Sequence, residues 1–297
     1  MKKIFLFGSL NADLTIRAPY IPQAGETLKG SDFMLTAGGK GANQAYACAN
    51  LGGDIRMAGC VGNDPFGDML VKSLQGAGAD TSCVRRTRRN TGVAVITVVD
   101  GDNRIILDEG ANGEATLSDV EALLADASAG DIFITQLENP LSVVEGALAL
   151  AKHKGLFTLF NPAPARAEAR CCVGYADLIT PNESELRILS GKDGVEEGCR
   201  ELIKMGAGAV LATLGKDGSL YWNGTEKTNI GIVDAGKAVD TTAAGDTFCG
   251  ALAVRLAEGA SPLEAARFAS LCPGTAGPRP GAQIPIPTRA EAEEMQK

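Results

Sequence analysis

VDTTAAGDTFCG, residues 239–250, sets a run of small residues directly before an aspartate and then continues into a helix pattern. A loop between a strand and a helix needs little more than a turn and a cap. Here Ala243, Ala244 and Gly245 leave the backbone almost bare, so an anion can approach the N–H groups of residues 243–246. At a helix start these groups have no intrahelical partner and lie at the positive end of the helix dipole. Asp246 adds a carboxylate beside them. The plain alternative is a capped helix, since aspartate is a favoured N-cap. A cap does not require Ala-Ala-Gly before it, whereas close approach of a phosphate does. The stretch therefore reads as an anion hole with Asp246 as the base for an attacking hydroxyl in phosphoryl transfer. Its place at the helix end predicts a low pKa, and so an ionised, weak base at neutral pH.

Elsewhere in the chain short apolar runs alternate with helix-like stretches. IFLFGSL (4–10), IRMAGCVG (55–62), DIFITQL (131–137), LFTLFNP (156–162), DLITPN (177–182) and AVLATLG (209–215) read as strands. The amphipathic segments 116–128, 141–153, 195–206 and 246–258 read as helices. This rhythm predicts α/β architecture: a doubly wound, mostly parallel sheet flanked by helices, with ligands beyond the carboxyl ends of the strands. Residues 14–36 and 91–100 break the rhythm, alternating without a following helix. They predict a small β-sheet lid on a single domain spanning 1–297.

The 297 residues carry 28 Lys and Arg against 36 Asp and Glu, a net charge of −8, which argues against nucleic acid or an anionic membrane as partner. MKKIFLFGSLNADL has the lysines of a signal peptide, but Gly8, Ser9, Asn11 and Asp13 break its apolar run, so an ordinary first strand is expected. No stretch reaches the roughly 18 apolar residues that span a bilayer. Eight cysteines without a CxxC pair fit a reduced, cytoplasmic protein, with the neighbours Cys171 and Cys172 as incidental thiols. His153 is the only histidine and falls at the polar end of a helix pattern, which leaves little room for triad or His-zinc chemistry.

Polar residues gather after the strands. In GSLNAD, Asn11 and Asp13 are two apart and share a face. TAGGKGANQA (36–45) is a glycine-rich loop running into a helix, able to present N–H groups to an oxygen-rich ligand, with Lys40 and Asn43 as polar handles. It is not a Walker A loop, because Gly41 follows Lys40. QLENP places Glu138 at the same edge. In TPNESEL, Asn182 and Glu185 have capping-box spacing, so a helix start explains them without a ligand. Thr213 and Gly215 end a strand, before a turn at 216–218 into a hairpin.

Together these segments resemble the PfkB-type (ribokinase-like) carbohydrate kinases over nearly the whole chain. The resemblance runs from GSLNAD through GGKGANQA, TGVA, GAN, QLE, NPAPAR, TPNE and TLG to DTTAAGDTF and RPGAQ. It implies transfer of the γ-phosphate of ATP to the primary 5-hydroxyl of D-ribose, giving ribose 5-phosphate. Residue by residue, it implies that Asn11, Asp13, Gly39, Lys40, Asn43 and Glu138 hold the sugar. Asp246 would be the base and the amides of Ala243, Ala244, Gly245 and Asp246 the anion hole. Asn182, Thr213, Gly215 and Gly245 would contact ATP, and Glu185 hydrated Mg²⁺. Asp240, the Thr242 carbonyl and the segment holding Ala276, Arg279 and Gly281 would form a K⁺ loop. The lid, about 14–36 and 91–107, would also make a homodimer contact. The chain departs from the family after ARFAS, where LCPGTAGP (271–278) replaces part of an Ala- and Val-rich helix beside the adenine, and the RPGAQ that follows keeps its expected distance. Pro273 and Gly274 should end that helix early and weaken nucleotide affinity. A kinase for deoxyribose, another small sugar or a nucleoside is an alternative, as is a sugar-binding protein without turnover.

Overall fold

A computed structural model describes residues 1–231, 243–272, 283 and 286–294. The first strands are β1 (Ile4–Phe7), β2 (Asn11–Arg17), β3 (Ser31–Gly38), β4 (Ile55–Gly62), β5 (Asp80–Thr87), β6 (Gly92–Val99) and β7 (Asp102–Asp108). They continue with β8 (Ile132–Thr135), β9 (Phe157–Phe160), β10 (Leu178–Ile179), β11 (Val210–Thr213), β12 (Ser219–Trp222) and β13 (Lys227–Ile230). Nine of them form the main sheet in the order β13-β12-β11-β10-β9-β8-β1-β4-β5, parallel except for the hairpin β11-β12-β13. The other four make a separate sheet, β3-β2-β6-β7.

The helices are α1 (Lys40–Asn50), α2 (Pro65–Ala77), α3 (Leu117–Leu123), α4 (Leu141–His153), α5 (Arg170–Val173), α6 (Glu183–Ser190), α7 (Val195–Lys204), α8 (Ala244–Ala257), α9 (Pro262–Ala269) and α10 (Arg289–Glu294). Strand β1 shows why they cover both faces. All four of its side chains are buried, as expected of a central parallel strand. Ile4 and Leu6 join the core under α1, α8 and α9, while Phe5 and Phe7 join the core under α3, α4 and α7.

Helices α1 and α8 cross closely because their contact is made of small residues. A Cβ on Gly250 would lie 2.5 Å from the Ala47 Cβ, so only glycine permits this approach. One turn earlier on each helix, the same crossing brings Asp246 against Asn43 and Gln44.

The predicted doubly wound sheet with a small second sheet is present, and the lid strands fall in the two expected segments. Strand β1 is shorter than expected. It ends at Phe7, so Asn11 and Asp13 do not close the first strand but open the lid strand β2. Helix α2 and strand β5 lie where no element was predicted. His153 is the exposed last residue of α4, and the Cys171 and Cys172 sulfurs are thiols 3.9 Å apart. Among the described residues no helix is long and apolar enough to cross a membrane.

Candidate active site

Two helix N-termini meet here, and the chain treats them differently. The start of α1 is stoppered from within: Glu138 Oε2 accepts from Lys40 N at 3.0 Å, Ser9 Oγ from Gly41 N at 3.3 Å and the Ser9 carbonyl from Ala42 N at 2.9 Å. Ser9 Oγ in turn donates to Glu138 Oε2 at 2.5 Å. The glycine-rich loop therefore does not offer these N–H groups to a ligand, contrary to the expectation from its sequence. What it contributes is geometry. Gly39 sits at φ +88°, and a Cβ there would lie 2.7 Å from Asn11 N.

Among the described residues no side chain caps the start of α8, and its N-cap, Ala243, is held in the left-handed region at φ +61°. That conformation costs a non-glycine residue about 1–2 kcal/mol, and such strain concentrates at functional sites. Among the described residues a Cβ on Gly245 would meet nothing within 4 Å. Asp246 is the third residue of the helix and does not cap it. Its Oδ2 accepts from Asn43 Nδ2 at 3.1 Å and its Oδ1 from Gln44 Nε2 at 3.0 Å.

The charged groups are few, close and poorly solvated. Burial raises the pKa of Asp246, against the pull of Lys40, Gln44 and Asn43, with Glu138 adding to the rise. The low pKa expected from the helix end is thus overturned: loss of water outweighs the dipole and the donors. Asp13 is pushed up to about 7, first by burial and then by the negative charges of Glu138 and Asp246, while Lys40 opposes. Burial pulls the Lys40 ammonium down, but Asp246, Glu138 and Glu185 outweigh it and the pKa rises. Among the described residues Lys40 is the common counter-charge to these carboxylates.

On the lid side, Asn112 fixes Asn11. Asn112 Oδ1 accepts from Leu10 N at 2.9 Å, and its Nδ2 donates to Leu10 O at 3.0 Å and to Asn11 Oδ1 at 2.8 Å. With its oxygen so occupied, the Asn11 NH₂ faces away from Asn112. Asp13 lies over Gly38, where a Cβ would come within 2.1 Å of its Oδ2.

On the other side a cleft of about 240 Å³ is lined by Lys40, Asn161, Asn182, Glu185, Thr213 and the 243–246 segment. Asn182 and Glu185 form the expected capping box on α6, and they also face this cleft. Burial raises the pKa of Glu185, with the Asn182 N–H and Lys40 opposing. Gly215 is not brought in: it opens a short 3₁₀ turn beyond β11 and does not line the cleft. Asp240, Thr242, Ala276, Arg279 and Gly281, together with Pro273 and Gly274, lie outside the described residues. Sequence reasoning named neither Ser9, Gln44, Asn112 nor Asn161 as site residues. A signal existed for each, a polar residue within a small-residue motif, but its long-range partner was not visible.

The pattern of pfkB family carbohydrate kinases matches residues 1–289. A ribokinase of Schizosaccharomyces pombe is 37% identical over 309 residues, covering 99% of this chain and 97% of the relative. The crystal structure of a ribokinase from Thermotoga maritima superposes with a TM-score of 0.90 at 36% identity, covering 100% of this chain and 99% of that one. The structure of an Arabidopsis thaliana ribokinase complexed with ribose and ATP gives a TM-score of 0.89 at 30% identity, with 100% and 99% coverage. With both lobes of the site matched end to end in sequence and fold, the chain belongs to the pfkB family of carbohydrate kinases.

Proposed function

We propose that the protein is an ATP-dependent kinase, a single domain with a lid, that phosphorylates the 5-hydroxyl of D-ribose to ribose 5-phosphate. The ribokinase relatives support this across the full chain, and one of them is a complex with ribose and ATP. The observation that carries the residue-level reading is Asp246. Its carboxylate is turned away from its own helix and held by two amides of α1 beside an uncapped helix start.

In this reading Asn11, Asp13, Lys40, Asn43 and Glu138 bind the sugar hydroxyls, with Gly39 letting the chain pass close to Asn11. Asp246 takes the proton of the attacking hydroxyl. The raised pKa makes it a better proton acceptor than an exposed aspartate, and Lys40 keeps its anion stable. The N–H groups of 243–246 receive the negative charge that grows on the transferring phosphoryl group, where one such donor is worth roughly 3 kcal/mol. Asn182 and Thr213 line the nucleotide side.

Among the described residues no group of three His, Cys, Asp or Glu could ligate a metal directly. A Mg²⁺ held by phosphate oxygens and water fits this donor set, with Glu185 as the nearest carboxylate; it would neutralise phosphate charge. K⁺ is proposed on the family resemblance alone. A homodimer through the lid is supported by a row of apolar side chains on the face opposite Asn11 and Asp13. Leu35, Leu14, Val95 and Ile106 are in register there, and Ile106 is 76% exposed. A reduced, cytoplasmic setting remains part of the proposal.

The test is a coupled assay of ADP release with D-ribose, deoxyribose, fructose and nucleosides. The highest kcat/KM is expected with D-ribose. A faster alternative acceptor would reassign the substrate, and ribose binding without ADP release would make the chain a binding protein.

A further inference from the structure

We propose that Gln44 is a positioning residue that orients the base so that Oδ2 of Asp246, and not Oδ1, takes the proton of the acceptor hydroxyl. The inference rests on Asp246 being the base and adds the geometry that makes its two oxygens unequal.

Thr180 O can only accept, so Asn161 faces it with Nδ2 at 3.0 Å and must turn Oδ1 to Gln44. Gln44 then has to present its NH₂, which lies 3.1 Å from Asn161 Oδ1 and 3.0 Å from Asp246 Oδ1. Its remaining oxygen accepts from Gln136 Nε2 at 2.6 Å. All three amides are buried, Gln44 at 0%, Gln136 at 1% and Asn161 at 7% exposure. A flipped Gln44 would press an oxygen against two other acceptors with no water to relieve them. The polarity is also maintained at a cost: among the described residues the buried Gln136 Oε1 has no partner, and its NH₂ faces Gln44.

The other oxygen of Asp246 is held loosely. Asn43 donates to Oδ2 at 3.1 Å, and among the described residues its oxygen accepts from Gln283 Nε2 at 3.4 Å, with Gln283 Oε1 accepting in turn from the Ser73 hydroxyl, which can reverse its bond. Asn43 can turn its carbonyl to an Oδ2–H, whereas Gln44 cannot do the same for Oδ1. In the transfer the hydroxyl O–H bond breaks and its proton passes to Oδ2. The oxygen bonds to the γ-phosphorus, and the bond from that phosphorus to the bridging oxygen of ATP breaks, releasing ADP.

The test is Gln44→Met in the full chain, with Asp246→Asn in parallel. Loss of the orienting donor should lower kcat about 10- to 10²-fold while both KM values stay within about twofold. The acid limb of the kcat–pH profile should move to higher pH, because the Asp246 anion loses a stabilising donor. Lys40, Asp13, Glu138, Glu185 and the Cys249 thiol also face Asp246 and are unchanged in the variant. A merely structural Gln44 would lower Tm and leave that limb in place, which overturns the proposal. Normal kcat in Asp246→Asn would instead remove the base itself; an inactive Asp246→Asn beside a normal Gln44→Met would overturn only the positioning role. Should Gln44→Met not fold, Gln136→Met releases the far end of the same amide chain and must shift the limb in the same direction. An unmoved limb there overturns the proposal as well.

Discussion

Asn182 and Glu185 hold one another across the first turn of α6: the Asn182 side chain accepts from Glu185 N at 2.9 Å, and the Glu185 carboxylate accepts from Asn182 N at 2.8 Å. The same carboxylate lines the cleft beside the start of α8, so a helix cap and a proposed phosphate-metal contact share one side chain. Substitution can separate them. Glutamine preserves a capping box and removes the charge. Glu185→Gln should keep Tm and lower kcat with a raised Mg²⁺ requirement, whereas Glu185→Ala should also lose about 1 kcal/mol of stability. Equal kcat in wild type and Glu185→Gln, measured across a Mg²⁺ titration, would reduce Glu185 to a cap.

Gly245 makes the opposite prediction for stability and activity. Its backbone is not in the left-handed region and its missing Cβ faces open space. Gly245→Ala should leave thermal stability equal or raise it by up to about 1 kcal/mol, since alanine is the better helix former. The added methyl enters the phosphate approach, so the ATP KM should rise while ribose binding stays as it was. Calorimetry and initial rates check both halves, and an unaltered ATP KM would count against the anion hole.

Asp13 links the acceptor to pH. Its pKa lies near 7 in the folded protein and near 3.8 unfolded. Folding therefore takes up a proton between these values, and stability falls as pH rises from about 4 through 7. Asp13→Asn should remove that loss and raise Tm at pH 8 while sharply increasing the ribose KM. In the wild type the ribose KM should fall as pH rises through 7, because the carboxylate accepts two hydroxyl donors. A pH-independent KM would exclude Asp13 as the titrating contact.

The exposed row on the lid supports a dimer that sedimentation can test. Ile106→Glu puts a charge at its most exposed position and should shift the protein to monomer. A wild type that already sediments as monomer would remove the proposal.

The sheet was legible because its signals are local. Continuous apolar runs such as IFLF and VLAT mark central strands, and the failure of 14–36 and 91–100 to lead into helices marked the lid. Helix α2 and β5 escaped because PFGDMLVKSLQGA and DTSCVRRT lie half-exposed and carry weak patterns. Lys40, Asn43 and Asp246, in the first turns of α1 and α8, were singled out by small-residue motifs. Gln44, Asn161 and Asn112 were not, since a buried polar side chain is explained by its partner, and those partners are about a hundred residues away. The pKa of Asp246 failed for a related reason: helix position can be read from a motif, but loss of water cannot.

Asn11 and Asp13 open a strand of the small sheet, whereas Glu138 follows β8 of the large one and Asp246 lies in α8, packed against it. A ribose gripped by both would act as a clasp between two bodies that otherwise meet through short connections and the packing of α2 on β2 and β3. Its apparent affinity then reports how readily the bodies come together as well as how well each hydroxyl is matched. Substitutions where α2 packs on β2 and β3, away from the proposed sugar contacts, would thus be read by the enzyme as changes in its taste for the acceptor.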